Sequence, residues 1–483
     1  MSNTRPKRKK IPYLIIAVLL TAVSLAFTVM AIRLGVLPVR LLAIILAAVW
    51  VIVLLLDVLL LAARKWKAFW VVLSILMAAV LSAGIYYLYH TQKLVEVTRQ
   101  PLVQSDAVSI YVLLDSPAES IGDTEGFTFG ILQEIDRENT DKTIAELQEK
   151  VEFSQEYREY EDMLDLADAL YEKTVDAIIL NDAFVSVISD NEGYGSFPED
   201  IRALLTTVQE TVQPEIPVVE EPVMDGFFIA YISGIDTYGG VSKKSRSDVN
   251  ILAAVNTKTK EILLLSTPRD YFIELSISGD KRDKLTHAGI NGVNVSMDTL
   301  GMLYDINVDY YVRMNFTGFT DIVNAIGGVN VYSEYEFTAG DVHFDKGYNE
   351  LDGEQALTFA RERHSFATGD NQRGKNQMEV IKAVIAKCSS PAVLTNYASL
   401  MSSIASTFET NVSNEQIAQL VDVTLFGGGS WHVTSYSVTG DNSSDYTYSM
   451  PRQRVYVMEP HWDSVEQAKA LIGQVRAGET LGE

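Results

Sequence analysis

Three long apolar runs dominate the start of the chain, at about residues 11–32, 41–63 and 68–89. Each provides the roughly 20 residues with which an α-helix crosses a bilayer, so the pattern predicts three membrane spans within residues 1–97. Basic residues cluster before the first run and between the second and third. The positive-inside rule therefore predicts a cytoplasmic N-terminus and a large extracellular part. A cleaved signal peptide is the alternative for the first run, but two further spans follow it at once.

Residues 98–215 show the pattern of a small α/β accessory domain. Apolar segments at 108–114 and 177–180 predict buried strands, and the charged stretch between them, at 144–168, is predicted to be helical. We find no constellation of chemically reactive residues in this domain, so its expected role is interaction or spacing. The stretch 213–222 contains three prolines and three glutamates and is predicted to be a linker.

The remaining residues, 224–483, alternate between strand and helix patterns. The alternation predicts an α/β sandwich in which helices cover a central sheet. The predicted strands are 226–233, 249–255, 262–265, 308–314 and 329–332, and the predicted helices are 287–304, 317–326, 353–361 and 373–387. The strands 249–255 and 262–265 are close enough in sequence to form a β-hairpin.

Charge is distributed unevenly along the chain. Of the 63 acidic residues, only Asp57 and Glu96 lie in the first 97 positions, and the net charge is −24. An acidic exterior excludes nonspecific nucleic-acid binding as a function. Cys388 is the only cysteine, so no intrachain disulfide can form, and its apolar helical surroundings predict a core position. The six histidines show no metal-ligand spacing.

Arginines gather in three short stretches where predicted strands and helices end. Guanidinium groups form paired hydrogen bonds to phosphate oxygens, and a pyrophosphate has enough oxygens to engage several of them. The start of the last helix adds free backbone N–H groups and a positive dipole. The candidate phosphate-binding residues are Arg246, Arg269, Arg361, Arg363, Arg373 and Gln377.

Two aspartates near the first of these stretches, Asp236 and Asp248, are candidate Mg²⁺ ligands, because Mg²⁺ prefers carboxylate oxygens. The inferred ligand is therefore a phosphate diester or a pyrophosphate bound with a divalent ion. Each arginine taken singly also fits a helix cap or a surface ion pair, and each aspartate fits a turn. Spacing alone leaves both interpretations open.

Three ordered motifs resemble the LytR-CpsA-Psr family over about residues 224–390. They are KSRSDVN at 244–250, LSTPRD at 265–270, and LDGEQAL at 351–357 running into ARERH at 360–364. Three spans followed by an extra exterior module are similar to the capsule-type members. The resemblance implies an α/β sandwich with a central mixed sheet and a hydrophobic pocket for a lipid.

The same resemblance implies a transferase that attaches a polyprenyl-pyrophosphate-linked glycan, such as capsular polysaccharide, to peptidoglycan. It implies Mg²⁺ binding by Asp236 and Asp248 and phosphate contacts from the six residues named above. Asn376 stands where many members carry an arginine, so the phosphate site is expected to have one guanidinium fewer. Capsule-synthesis proteins are further expected partners, and nucleic acid is not.

The expected reaction begins when a peptidoglycan hydroxyl attacks the activated end of the lipid-linked polymer. Mg²⁺ together with Arg269, Arg361 and Arg363 would stabilise the charge that builds on the departing phosphate. Either Asp248 or Asp270 is the expected general base, and the sequence does not choose between them.

Two other functions fit the same motifs. One is a membrane-bound regulator that senses lipid-linked glycan during capsule synthesis, although the short cytoplasmic part leaves little to transmit a signal. The other is a polyprenyl pyrophosphate hydrolase, in which water replaces the peptidoglycan hydroxyl.

Overall fold

The computed structural model describes residues 11–34, 39–62, 65–98, 103–212, 226–235, 245–366, 369–390 and 408–482. The chain forms two compact units. The first contains the N-terminal helices and residues 412–429, and the second contains most of the remainder. The predicted linker at 213–222 lies outside the described residues.

Three helices form the N-terminal part of the first unit: α1 (Ile11–Leu34), α2 (Val39–Ala62) and α3 (Lys67–Thr98). All three are long and apolar enough to cross a membrane, which confirms the predicted spans. Leu20, Val53, Leu56 and Leu81 pack together in the centre of the bundle. Most other apolar side chains of these helices are exposed, as expected for surfaces that face lipid.

The accessory region of the second unit contains a five-stranded sheet with strand order β3-β2-β4-β1-β5. Its strands are β1 (Val103–Leu113), β2 (Thr128–Leu132), β3 (Glu156–Tyr160), β4 (Ala177–Asn181) and β5 (Ile201–Val212). Its helices are α4 (Arg137–Lys150), α5 (Met163–Tyr171), α6 (Asp182–Ser189) and α7 (Phe197–Asp200).

One secondary-structure prediction in this region is wrong. The stretch 144–168 was predicted to be helical throughout, but strand β3 separates helices α4 and α5. Strand β3 lies at the edge of the sheet and, among the described strands, pairs with β2 alone. Its side chains are largely exposed, which is compatible with its polar composition. Pairing with the neighbouring strand, a tertiary interaction, overrides the local helical preference.

A six-stranded mixed sheet forms the centre of the larger region, with strand order β16-β11-β6-β7-β8-β17. Its strands are β6 (Phe227–Ile235), β7 (Ser247–Asn256), β8 (Glu261–Ser266), β11 (Tyr310–Met314), β16 (Phe408–Thr410) and β17 (His432–Ser437). β6, β7 and β8 are antiparallel neighbours, whereas β11 and β17 join them in parallel. The predicted mixed central sheet is confirmed.

The other helices and short strands of the described residues follow in chain order. The helices are α8 (Leu285–Ala288), α9 (Val293–Tyr304), α10 (Phe316–Ala325), α11 (Gly353–Arg361), α12 (Asp370–Cys388), α13 (Asn414–Phe426) and α14 (Trp462–Ala477). Four short strand pairs complete the description: β9 (Phe272–Glu274) with β10 (Arg282–Lys284), β12 (Val329–Ser333) with β15 (Gly347–Leu351), β13 (Phe337–Ala339) with β14 (Val342–Phe344), and β18 (Gly440–Asp445) with β19 (Val455–Pro460). Helix α13 belongs to the first unit.

Side chains of the central strand β7 enter two separate hydrophobic cores. Leu252 and Ala254 join a core with α9 and α14, whereas Ile251 and Ala253 join a core with α12 on the opposite face. Successive side chains of a strand point to opposite faces of the sheet. A strand that is covered on both faces therefore needs apolar residues at consecutive positions. The result is the predicted sandwich of helices around a sheet.

The predicted helix 287–304 is interrupted in the structure. A 3₁₀ turn at Gly289–Asn291 separates α8 from α9, and Gly292 adopts a φ of 112°. Gly289 packs against the chain at Ser247, where a Cβ atom would lie only 2.7 Å from the backbone nitrogen. This close approach requires glycine and brings α8 against the start of β7.

The accessory region and the larger region share one hydrophobic core. Phe184 and Val187 of α6 pack in the same cluster as Phe272, Met450 and Val457 of the larger region. Helix α6 is therefore held against the larger region by buried apolar contacts.

Candidate functional site

Arg246 and Arg269 lie at the same edge of the six-stranded sheet. Arg246 immediately precedes β7 and Arg269 closely follows β8, and these two strands form an antiparallel hairpin. Strand β6 ends at this edge as well, with Ile235 opposite Ser247. The hairpin topology therefore explains why residues 23 positions apart in sequence meet in space.

The guanidinium of Arg269 contacts three carboxylates at once. Its Nη1 donates to both oxygens of Asp248 at 3.1 Å, its Nε donates to Asp270 at 3.3 Å, and its Nη2 donates to Asp190 at 3.0 Å. The Arg269 side chain is only 11% exposed. Such a buried, multiply bonded guanidinium has a fixed orientation, which a phosphate site needs.

Asp248 and Asp270 are held in their ionised forms. Burial by itself raises the pKa of each carboxyl, but neighbouring cations outweigh burial and lower the pKa below its ordinary value. Arg269 contributes most to this lowering in both cases, with Arg246 assisting at Asp248 and Lys284 assisting at Asp270. Both aspartates are therefore carboxylates at neutral pH.

The first turns of helix α12 face the same cavity. Gly374 allows this approach, because a Cβ atom there would lie 3.1 Å from the hydroxyl of Ser266 at the end of β8. An N-terminal helix end favours an anion through its free N–H groups and dipole. The predicted residues that line the cavity are Asp248, Arg269, Arg373 and Gln377.

Arg361 and Arg363 lie at and just beyond the end of α11 and are not among the residues that line this cavity. The guanidinium carbon of Arg361 lies 4.1 Å from the centre of the Phe316 ring, a cation–π distance. Arg363 Nε lies 3.4 Å from His364 Nε2. The structure thus brings Asp248, Arg269, Arg373 and Gln377 to the cavity. It joins Arg246 to Arg269 through Asp190 and does not place Arg246, Arg361 or Arg363 in the cavity lining.

Asn376, which stands at a position where an arginine is common, is buried and hydrogen-bonded. It is 3% exposed, accepts a hydrogen bond from Gln372, and donates to the carbonyl oxygen of Phe359 at 3.4 Å. Gln377 donates in the same way to Ala360 at 3.4 Å. These two amides connect α12 to the last carbonyls of α11 and so fix the segment that carries Arg361.

The predicted metal site is described only in part. Asp236 lies outside the described residues, whereas Asp248 is present at the cavity as an ionised carboxylate. Within the described ranges, no group of three or more His, Cys, Asp or Glu side chains is placed to hold a metal ion. Of the two predicted ligands, Asp248 is the one within the described residues, and its carboxylate is of the type that Mg²⁺ prefers.

Sequence reasoning missed one residue at this site, Asp190 of the accessory region. It directly follows α6 and accepts hydrogen bonds from both Arg246 and Arg269. No motif marks Asp190, because the contact depends on the packing of two regions that are separate in sequence. The accessory region thus contributes one carboxylate to the arginine cluster.

Two candidate protein nucleophiles, Ser449 and Cys388, lack the features of a catalytic nucleophile. Ser449, His287 and Asp283 form a cluster, but both Ser449 and Asp283 contact the same imidazole nitrogen, Nδ1, at 2.9 and 2.8 Å. A relay of the Ser-His-Asp type uses the two ring nitrogens separately. Burial raises the pKa of the Cys388 thiol to about 11, which disfavours the reactive thiolate.

A model of the LytR_cpsA_psr family matches residues 206–461, slightly more than half of the chain. A protein of Bacillus cereus named polyisoprenyl-teichoic acid-peptidoglycan teichoic acid transferase TagU is 37% identical over 185 residues, which cover 38% of this chain and 60% of the relative. The protein of the same name from Bacillus mycoides is 38% identical over 175 residues, which cover 36% of this chain and 57% of the relative. The chain thus matches about three fifths of these relatives' length.

Among solved structures, TagV of B. subtilis aligns with a TM-score of 0.45 and 27% sequence identity. The alignment covers 53% of this chain and 99% of that structure.

Proposed function

The chain belongs to the LytR-CpsA-Psr family, and we propose that it transfers a polyprenyl-pyrophosphate-linked glycan, a capsular polysaccharide or a similar polymer, onto peptidoglycan. The observation that carries this proposal is the convergence of Arg269 and Arg373 on one cavity at the ends of β7 and β8, with Arg246 joined to Arg269 through the shared carboxylate of Asp190. Relatives that are named as teichoic acid transferases acting on peptidoglycan support the same class of reaction.

The arginines would bind the phosphates of the lipid carrier. Arg269 and Arg246 present buried guanidiniums, and Arg373 with Gln377 adds donors from the start of α12. Paired, charge-assisted hydrogen bonds of this kind suit a pyrophosphate better than a neutral sugar. Arg361 and Arg363 would contact the phosphates from the end of α11, which lies beside the first turns of α12.

Mg²⁺ would be held by Asp248 and Asp236 together with oxygens of the bound phosphates. The ionised state of Asp248 and its place at the cavity support this assignment. When bound, Mg²⁺ would neutralise charge on the phosphates during transfer.

The reaction would proceed by direct transfer to the acceptor. A hydroxyl of peptidoglycan attacks the phosphorus that carries the glycan, and the P–O–P bond breaks. Polyprenyl phosphate departs, the glycan phosphate becomes a diester with peptidoglycan, and Arg269 stabilises the charge that develops on the departing phosphate. The hydroxyl proton would pass to Asp248. Of the two candidate bases, Asp248 lines the cavity, whereas Asp270 is 4% exposed and paired with Lys284.

Helix α13 contacts the start of α2 within the first unit. Arg40, in the first turn of α2, donates from Nη1 to the carbonyl oxygen of Phe426 at 2.9 Å, and its Nε lies 3.4 Å from Asp422. We propose that α13 lies at the membrane face opposite the basic N-terminus. The positive-inside rule assigns this face, and the part of the chain that follows the third span, to the exterior.

This orientation can be tested by labelling a Cys388→Ser, Asp115→Cys variant in intact cells. The Asp115 side chain is 65% exposed. A membrane-impermeant maleimide should label the new cysteine without permeabilisation. Labelling that requires permeabilised cells would contradict the proposed topology.

The proposed reaction can be tested by product analysis with the full chain in detergent. The chain is mixed with polyprenyl-pyrophosphate-linked oligosaccharide, peptidoglycan fragments and Mg²⁺, and the products are identified by mass spectrometry. We expect a covalent adduct of glycan and peptidoglycan. The Arg269→Lys variant, which keeps the charge but loses the planar fork, should form at least about tenfold less of it.

The matched control is Arg137→Lys, which alters an exposed arginine of α4 paired with Asp141 and Glu159. It should transfer glycan at the wild-type rate. Free glycan without adduct would instead indicate a hydrolase. Lipid binding with neither product would indicate the regulator.

A further inference from the structure

Asp190 brings a carboxylate of the accessory region into the arginine cluster. One of its oxygens, Oδ2, accepts hydrogen bonds from Nη1 of Arg246 and from Nη2 of Arg269, the latter at 3.0 Å. The two arginine side chains are 8% and 11% exposed. A carboxylate that bridges two buried guanidiniums occupies the position that an anionic oxygen of a ligand would take.

The placement of Asp190 is fixed by the packing of α6. Apolar side chains of this helix share a hydrophobic core with the larger region. The next residue, Asn191, donates to the carbonyls of Val187 and Ile188 at the end of the helix, and its amide nitrogen lies 3.8 Å from the sulfur of Met450. The carboxylate is therefore directed at the arginines by a packed helix end.

Of the three carboxylates on Arg269, Asp190 is the one best able to leave. Its side chain is 30% exposed, compared with 15% for Asp248 and 6% for Asp270. Water can stabilise a partly exposed carboxylate once it separates from its partner, whereas a buried one would lose its charge compensation. Asp270 also keeps a second cation, Lys284, at 3.3 Å.

We propose that Asp190 is an intramolecular competitor of the lipid phosphate, so that a headgroup binds Arg246 and Arg269 only after it displaces this carboxylate. This inference rests on the proposed function, in which the same two arginines bind the pyrophosphate. It gives the accessory region a role in regulating access to the site. Any partner or movement that withdraws α6 would raise the affinity for lipid-linked substrate.

Displacement has a quantitative signature. When a site is free in only a fraction of molecules, the apparent Kd of every ligand that needs it is increased by the same factor. Removing the competitor should therefore strengthen the binding of different anions equally. Repulsion by a carboxylate that stays in place would instead affect a more highly charged anion more strongly.

The test is calorimetric titration of inorganic pyrophosphate and of inorganic phosphate into the full chain in detergent micelles. The variant Asp190→Asn keeps the size of the side chain and removes its charge. We expect both anions to bind more tightly to this variant, and by the same factor. The expected gain is about tenfold, which is the contribution of one partly exposed, charge-assisted hydrogen bond.

The matched control is Glu161→Gln. Glu161 pairs with Arg452 at 2.8 Å and so joins the same two regions without touching the arginine cluster. The affinities of the Glu161→Gln variant for pyrophosphate and for phosphate should stay within about twofold of the wild-type values. An equal gain in this control would attribute the effect to loosened packing and overturn the role of the Asp190 carboxylate.

Unchanged or weaker binding in Asp190→Asn would also overturn the inference, as would a gain confined to pyrophosphate. Arg269→Lys separates this outcome from failure of the proposed function. If Arg269→Lys weakens pyrophosphate binding while Asp190→Asn does not strengthen it, only the competitor role fails. If Arg269→Lys has no effect, the arginine site itself is wrong, and the inference fails with it.

Discussion

Removing Arg269 should destabilise the fold to an extent that depends on pH. The substitution Arg269→Ala takes a buried cation away from three carboxylates. Breaking a buried ion pair costs about 3–5 kcal/mol. Asp270 keeps Lys284 and Asp190 keeps Arg246, so we expect the lower end of this range, about 3 kcal/mol at pH 7.

The pH dependence follows from the pKa shifts. In the wild type, the pKa of Asp248 and of Asp270 is lower in the folded state than in the unfolded state. Both carboxylates therefore stabilise the fold at pH values above their unfolded pKa. This stabilisation is lost as the pH falls through the folded pKa. Without Arg269, burial dominates and the folded pKa rises. Ionised carboxylates then destabilise the variant at pH 7, and protonation relieves this penalty as pH falls.

The assay is thermal unfolding of the full chain in detergent, followed by tryptophan fluorescence at pH 7.5 and pH 5. We expect Arg269→Ala to lower the Tm by about 6 °C at the higher pH and by clearly less at the lower pH. Arg269→Lys keeps the charge, and its decrease in Tm should be less than half of that in Arg269→Ala. An equal loss in the two variants, or a Tm difference independent of pH, would refute the electrostatic reasoning.

Three further substitutions test the surroundings of the cavity. Gly289→Ala should lower the free energy of unfolding by about 1–3 kcal/mol, because the new Cβ would lie 2.7 Å from the backbone nitrogen of Ser247. An unchanged Tm would show that the two chain segments are not packed this closely. Asn376→Arg should lower the Tm without raising pyrophosphate affinity, because the position is buried and its amide donates to Phe359. Tighter pyrophosphate binding would contradict this. Asp248→Asn should reduce glycan transfer at least about a hundredfold in a mass-spectrometric assay, and near-normal transfer would remove Asp248 as the general base.

The local pattern of the sequence predicts the centre of the fold well. Strands β7 and β8 are continuous apolar runs joined by a short polar turn, and a hairpin necessarily places Arg246 and Arg269 at one edge. The three spans are equally clear, because length and apolarity alone define them. The hairpin depends on interactions between residues that are close in sequence, and the spans depend on composition.

The features that the sequence did not predict depend on tertiary contacts. Strand β3 is polar and lies at a sheet edge, and its pairing with β2 makes it a strand. Asp190 reaches the arginines through the packing of α6 against a core built from both regions. Asn376 is a structural residue because its amide meets the end of α11, a contact that no spacing rule indicates.

Arg269 and its neighbours are proposed to bind the pyrophosphate of a lipid carrier. The most direct measurement is calorimetric titration of an isoprenoid pyrophosphate into the full chain and its Arg269→Lys and Arg137→Lys variants. We predict affinity at least about tenfold weaker in Arg269→Lys, because one ammonium cannot replace a planar fork, and wild-type affinity in Arg137→Lys. Equal affinity in all three proteins would contradict the assignment of the site.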